Sequence, residues 1–295
     1  MLVTGSDTCF SFILTNKGKD IIMKKIALSS LIAVFAVSSA HAANVIDGNP
    51  LYMPKANHFY SVTDVNSHTR NNTPWNLGEE FGYGITDRWS VALNTTLSEN
   101  DNFDQIGWNT LTVGTALRAV DMGGWKLDVL GAYGFDALYR HPVAAGEDAW
   151  FDKDATDYTW TAGVRGGYAT SRFTVAAKAL FEYSNEASFK WNAANDHEGR
   201  HDLVLGLDGQ FVLCDKLNLV AGVEYNAWMD EEYRGYTTKN EGTWEGTFGV
   251  NYNIDATKFV GAYVNASMNH QGGAAADEWK TDKGIGFGAK FGIDF

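Results

Sequence analysis

From Gly284 to the C-terminal Phe295 the sequence alternates without a break. Ile285, Phe287, Ala289, Phe291, Ile293 and Phe295 share one parity; Gly284, Gly286, Gly288, Lys290, Gly292 and Asp294 share the other. Successive side chains of a strand point to opposite faces, so one face is wholly apolar and the other small or charged. A soluble sandwich would turn the apolar face to its core. A membrane barrel would turn it to lipid and keep the small, polar face for the lumen.

The pattern recurs along the chain. Trp89, Val91, Leu93, Thr95 and Leu97 alternate with Ser90, Ala92, Asn94, Thr96 and Ser98. Residues 158–168, 173–183, 217–226 and 244–254 behave alike. Such runs have the length a tilted strand needs to cross a bilayer, and exceed the usual ~5–6 residues of soluble sheets. The connections alternate as well. Short turns at 86–88, 121–124, 170–172, 213–216 and 255–257 interleave with long loops at 99–105, 141–157, 185–199, 230–241 and 269–282. Short periplasmic turns and long outer loops are the order of an outer-membrane barrel, which a sandwich has no reason to keep.

The expected fold is therefore all-β: one antiparallel transmembrane barrel of about twelve strands, spanning residues 57–295. The strands are expected near 57–66, 76–85, 89–98, 106–120, 125–140, 158–169, 173–184, 200–212, 217–229, 242–254, 258–268 and 283–295. An even number puts both termini on the periplasmic side. Two strands are weakly patterned: 57–66 alternates poorly, and in 258–268 Phe259 and Tyr263 share a parity with Asn265 and Ser267. Aromatics gather at strand ends, as Trp89, Trp125, Tyr168, Phe173 and Phe259 beside short turns and Tyr158, Trp160, Tyr183 and Trp244 beside long loops. Rings that favour both membrane interfaces would form two girdles. Trp108 and Trp228 fall on the lumen parity.

Export is expected from the N-terminus. Met23-Lys24-Lys25 heads the apolar run Ile26–Val37, and Ala40-His41-Ala42 closes it, the three regions of a signal peptide cleaved after Ala42. Residues 1–22 read as translation from an upstream start, and 43–56 as a periplasmic N-terminal segment. The formal net charge of the chain is −13, which disfavours nucleic acid, whose phosphates attract an excess of Lys and Arg.

These residues resemble Gram-negative outer-membrane β-barrel proteins of the porin-like superfamily, over the leader (23–42) and essentially all of the remaining chain. The sharpest motif is Phe287-x-Ala289-x-Phe291-x-Ile293-x-Phe295, similar to the terminal signal by which such barrels are assembled. The resemblance implies an outer-membrane location, surrounding lipid and lipopolysaccharide, and the barrel-assembly machinery as a transient partner.

Parity assigns Glu80, Arg118, Lys126, Asp128, Asp136, Arg165, Lys178, Glu182, Asp208, Glu224, Glu245 and Lys290 to the lumen as candidate pore-lining residues, with Arg140, Asp202 and Asp294 beside them. Acids outnumber bases on that face, which favours cations modestly if the charges are spread along the wall. If they are paired, they plug it. Inward glycines such as Gly82, Gly134, Gly163, Gly206, Gly222 and Gly288 either leave room for solvent or relieve crowding. The expected function is a porin-like passive channel for small hydrophilic solutes; the alternative is a closed barrel acting through its loops in adhesion or membrane structure.

The long loops are acidic: Glu147, Asp148, Asp152, Asp154 and Asp157 in one, and Asp230, Glu231, Glu232 and Glu241 in another. None has the spacing of a calcium loop, so a solvated surface is expected, with no metal site and no cofactor. His197 and His201 beside Asp196 and Asp202 form the best catalytic constellation, but no serine adjoins them and no catalytic motif is matched. The chain is not expected to be an enzyme.

Overall fold

The computed structural model describes residues 49–69, 75–100, 105–136, 158–185, 199–229, 232–233, 236–237, 242–272 and 279–295. The leader 1–42, Arg140 and part of each long loop lie outside them. Fourteen strands occur among the described residues, with no helix: β1 (Phe59–His68), β2 (Trp75–Thr86), β3 (Trp89–Asn100), β4 (Gln105–Met122), β5 (Trp125–Asp136), β6 (Tyr158–Ala169), β7 (Phe173–Ser184), β8 (Arg200–Cys214), β9 (Leu217–Trp228), β10 (Glu232–Tyr233), β11 (Tyr236–Thr237), β12 (Gly242–Asn253), β13 (Lys258–Gly272) and β14 (Trp279–Asp294). Twelve form a closed antiparallel barrel, each pairing with its neighbours in chain order, and β10 and β11 make a small separate hairpin in the loop after β9. The weakly patterned first strand is a full member. β1 pairs with β2 on one side and with β14 on the other, from Tyr60 opposite Asp294 to His68 opposite Gly286, and so closes the ring.

The outward parity is apolar and open to its surroundings. Phe81, Val113, Trp160, Leu207, Phe248, Val264 and Ile285 are each more than half exposed. Apolar surface this continuous is not left in water, and lipid is its natural solvent. Aromatic pairs mark both edges: Phe59–Tyr83 and Trp125–Tyr168 beside the short turns, Tyr133–Trp160 and Tyr225–Trp244 beside the long loops. Phe259 departs from the expected girdle. It faces inward, 2% exposed, lying over Gly292 directly opposite on β14. Tyr263 shares that face, so β13 presents Val260, Ala262, Val264, Ala266 and Met268 to lipid. A register shift at Thr96/Leu97 sets Trp108 opposite Leu97 in the ladder.

The short turns have local causes. Gly123 and Gly124 both take positive φ, 56° and 93°, which bends β4 into β5 as a side chain would resist. Between β12 and β13, Asp255 accepts from the Thr257 amide at 2.8 Å, the Thr257 hydroxyl at 2.9 Å and Lys258 Nζ at 3.3 Å. These bonds hold its carboxyl down at about 2. A depressed carboxyl contributes stability above its ordinary value that is lost as pH falls through the folded one. Asp255→Asn should therefore differ from the parent chain near neutrality and converge with it as the pH approaches about 2, read by urea unfolding across that range.

Candidate functional site: the barrel interior

The inward face carries charged, amide and hydroxyl side chains among apolar ones such as Ala176, Val204, Val212 and Phe259, and its charges are organised by register. Arg118 on β4, Asp128 on β5 and Arg165 on β6 stand directly opposite one another in one row. Asp128 is fully buried and accepts from Arg118 Nε at 2.8 Å and Arg165 Nη2 at 2.8 Å. The row continues through Lys178 on β7, Gly206 on β8, Glu224 on β9 and Glu245 on β12. Lys178 reaches across Gly206 to Glu224, two strands away, at 2.5 Å. Glu245 accepts from Asn265 Nδ2 at 3.1 Å. A second group joins β13, β14 and β1: Asp64 lies 3.7 Å from Lys290 and accepts the Tyr263 hydroxyl at 3.0 Å. Glu80 accepts the Tyr60 hydroxyl at 2.6 Å, and Lys126 pairs with Asp121 at 2.9 Å.

The glycines seat neighbouring side chains. A Cβ at Gly82 would strike the Tyr60 ring, at Gly288 the Tyr263 ring, at Gly206 the Lys178 chain and at Gly222 the Asp208 carboxylate. Each of those residues stands directly opposite its glycine. Long side chains thus lie flat along the wall instead of crossing the lumen, so the glycines relieve crowding and widen the interior by the same device.

The periplasmic end is occupied. Residues 49–58 lie across it as a strap. Leu51, only 2% exposed, gives its carbonyl to Arg118 Nη2 at 2.7 Å, the same guanidinium that holds Asp128. The Tyr52 hydroxyl donates to Asp294 at 3.3 Å and its ring meets Tyr60 edge-on at 5.6 Å. Burial beside that carboxylate pushes the Tyr52 phenol well above its ordinary value. The strap's backbone passes directly over Gly84, where any Cβ would strike the Lys55 and Pro54 carbonyls. Asn57 takes φ 62° in the turn that feeds the strap into β1, a conformation asparagine tolerates. A cavity of about 170 Å³ remains between the strap and the wall, lined by Arg118, Lys126, Thr174 and Gln210 among others.

Of the sequence-predicted lumen residues, Glu80, Arg118, Lys126, Asp128, Arg165, Lys178, Glu182, Asp208, Glu224, Glu245 and Lys290 stand at inward positions. Asp136 stands opposite Thr110 in the register. Sequence reasoning missed Tyr60, Asp64, Tyr263 and the strap. Trp228 does face inward, with the Arg200 guanidinium 4.7 Å from its ring centroid while Arg200 also bridges Asp202 at 2.7 Å. His201 and Asp202 point to opposite faces, His201 packing outward on Phe181 and Tyr183. The two are therefore not brought together; His197 and Asp196 lie outside the described residues.

No protein-family model and no curated protein sequence matches the chain. Among solved structures, an outer-membrane channel from Pseudomonas putida F1 aligns with a TM-score of 0.55, at 12% identity, over 85% of this chain and 100% of that one. The NanC porin aligns with a TM-score of 0.52, at 11% identity, over 78% of this chain and 98% of its own. At identities this low the superpositions establish a common fold and nothing finer. That fold is the twelve-stranded outer-membrane β-barrel.

Proposed function

We propose that this barrel is a porin-like passive channel for small hydrophilic solutes, weakly cation-preferring, exported by its leader and folded into the outer membrane by the barrel-assembly machinery, with lipid and lipopolysaccharide around it. The observation that carries this reading is the inner wall, where charged, amide and hydroxyl side chains stand among apolar ones such as Ala176, Val204 and Phe259, with long side chains laid flat over glycines. The cation preference rests on which charges are left over. Arg118, Arg165, Lys126, Lys178, Lys290 and Arg200 each bridge an acid. Glu80 and Glu245 instead accept from neutral donors, and Asp208 makes no ion pair among the described residues. The surplus is negative, which attracts cations. The channel fold of the Pseudomonas protein agrees with this reading.

One observation favours the alternative, a closed barrel acting through its loops: the strap fills part of the periplasmic mouth. Planar-bilayer recording of the refolded protein separates the two. Discrete open steps are expected, with a reversal potential in a salt gradient on the cation side. Glu224→Lys with Glu245→Lys should move that potential toward anions. A folded barrel that stays silent overturns the channel.

A further inference from the structure

The cavity beneath the strap carries donors and positive charge on one side and hydrocarbon on the other. Arg118, Lys126, Thr174 and Gln210 line it together with the apolar Leu51 and Val212, and no acidic side chain does so among the described residues. Arg118 and Arg165 share the single carboxylate of Asp128, so that group holds one positive charge more than it cancels. The bonds Arg118 makes among the described residues run from Nε and Nη2, and Nη1 is left over. Gln210 stands directly opposite Thr174 in the ladder, and both are only 5% exposed. Gln210 Nε2 nevertheless has no hydrogen-bond partner. A buried donor left unpaired is costly, and an acceptor in the cavity would relieve it. A half-turn about the last side-chain bond presents either atom of that amide to the cavity.

We propose that this cavity is a binding site for a short aliphatic carboxylate. Its carboxylate sits against Gln210, Thr174 and the two cations, and its chain against Leu51 and Val212. The inference goes beyond the channel reading and does not rest on it; the wall as a whole has a negative surplus, and at this cavity the sign is reversed. Other occupants fit less well. A cation would meet Arg118 and Lys126. An apolar molecule would leave Gln210 Nε2 and Arg118 Nη1 without an acceptor, and a bare inorganic anion would leave the apolar side unfilled. The volume sets the size: about 170 Å³ is close to the roughly 150 Å³ that holds benzene, so about six heavy atoms fit, as in butyrate. Because Leu51 belongs to the strap and Gln210 to the barrel, an occupant that touches both also holds the strap in its seat.

The test titrates butyrate into the protein extracted from outer membranes into detergent and reads binding by calorimetry. One site per chain is expected. Lys126→Met and Gln210→Leu should each raise the dissociation constant at least about tenfold. Gly84→Leu, whose side chain strikes the strap, should abolish binding. Butan-1-ol, which lacks the charge, and butylammonium, which reverses it, should each bind at least about tenfold more weakly than butyrate. If Gln210→Leu does not fold, methyl-labelled parent protein decides the matter: butyrate protons should show nuclear Overhauser contacts to the Leu51 and Val212 methyls. A barrel that passes no current yet binds butyrate in this way sinks the channel and supports the site. No binding of butyrate, an affinity indifferent to Lys126→Met, contacts only to other methyls, or equal affinity for butan-1-ol or for inorganic phosphate would each overturn the proposal.

Discussion

Asp128→Asn is expected to lower the stability of the barrel by about 3–5 kcal/mol, the cost of removing one member of a buried ion group. The Arg118–Asp128 half carries most of this, because Arg118 and Asp128 are 5% and 0% exposed as side chains, whereas Arg165 is 23% exposed and partly screened by water. Losing the carboxylate's charge would leave two guanidiniums side by side with only a neutral amide between them. A second variant separates charge loss from packing loss: Asp128→Leu with Arg118→Met replaces the buried pair by apolar groups of similar size. It should recover a large part of the deficit, since such replacements are often near neutral. Unfolding midpoints in urea, measured for the barrel in detergent, give both numbers.

Gly84→Leu is expected to unseat the strap without disturbing the sheet. Position 84 adjoins the bulge at Gly84/Thr86, and its open side is where the Lys55 and Pro54 carbonyls pass. A leucine there cannot coexist with the strap. Displacement exposes Leu51, whose burial is worth about 1.5–3 kcal/mol, and frees Arg118 from its carbonyl. In bilayer recordings the variant should pass a larger single-channel current than the parent. Unchanged current would show that the strap does not limit flow.

Much of this fold was legible in the sequence because a lipid-facing strand must alternate. Wherever one parity was wholly apolar, as from Ile285 to Phe295 or from Trp244 to Ile254, the strand and its facing agree with the periodicity. The failures have physical causes. β1 alternates poorly because Ser61 and Thr63 occupy outward positions, where periodicity expects apolar residues. Phe259 and Tyr263 misled because an aromatic can face the lumen when a glycine on the next strand receives its ring, a pairing that only register reveals. The strap has no period at all; it is fixed by Arg118, 67 residues further along the chain. One signal was present and unread. Glu79 and Glu80 are adjacent within a strand, so one of them had to face outward.

The flat-lying side chains share a direction. Tyr60 of β1 lies over Gly82 of β2, Thr112 of β4 over Gly134 of β5, Lys178 of β7 over Gly206 of β8, and Asp208 of β8 over Gly222 of β9. Phe259 and Tyr263 of β13 lean the same way onto β14. Each is combed toward the strand that follows it around the ring, so the inner wall has a handedness of its own. A bulky replacement at one glycine therefore acts first on the preceding strand's side chain and then on whatever that side chain holds. Removing Gly206 disturbs Lys178 and, through it, Glu224 on β9. Substitution effects in this barrel should accordingly travel sideways along rows, around the circumference, and not up and down the strand that carries them.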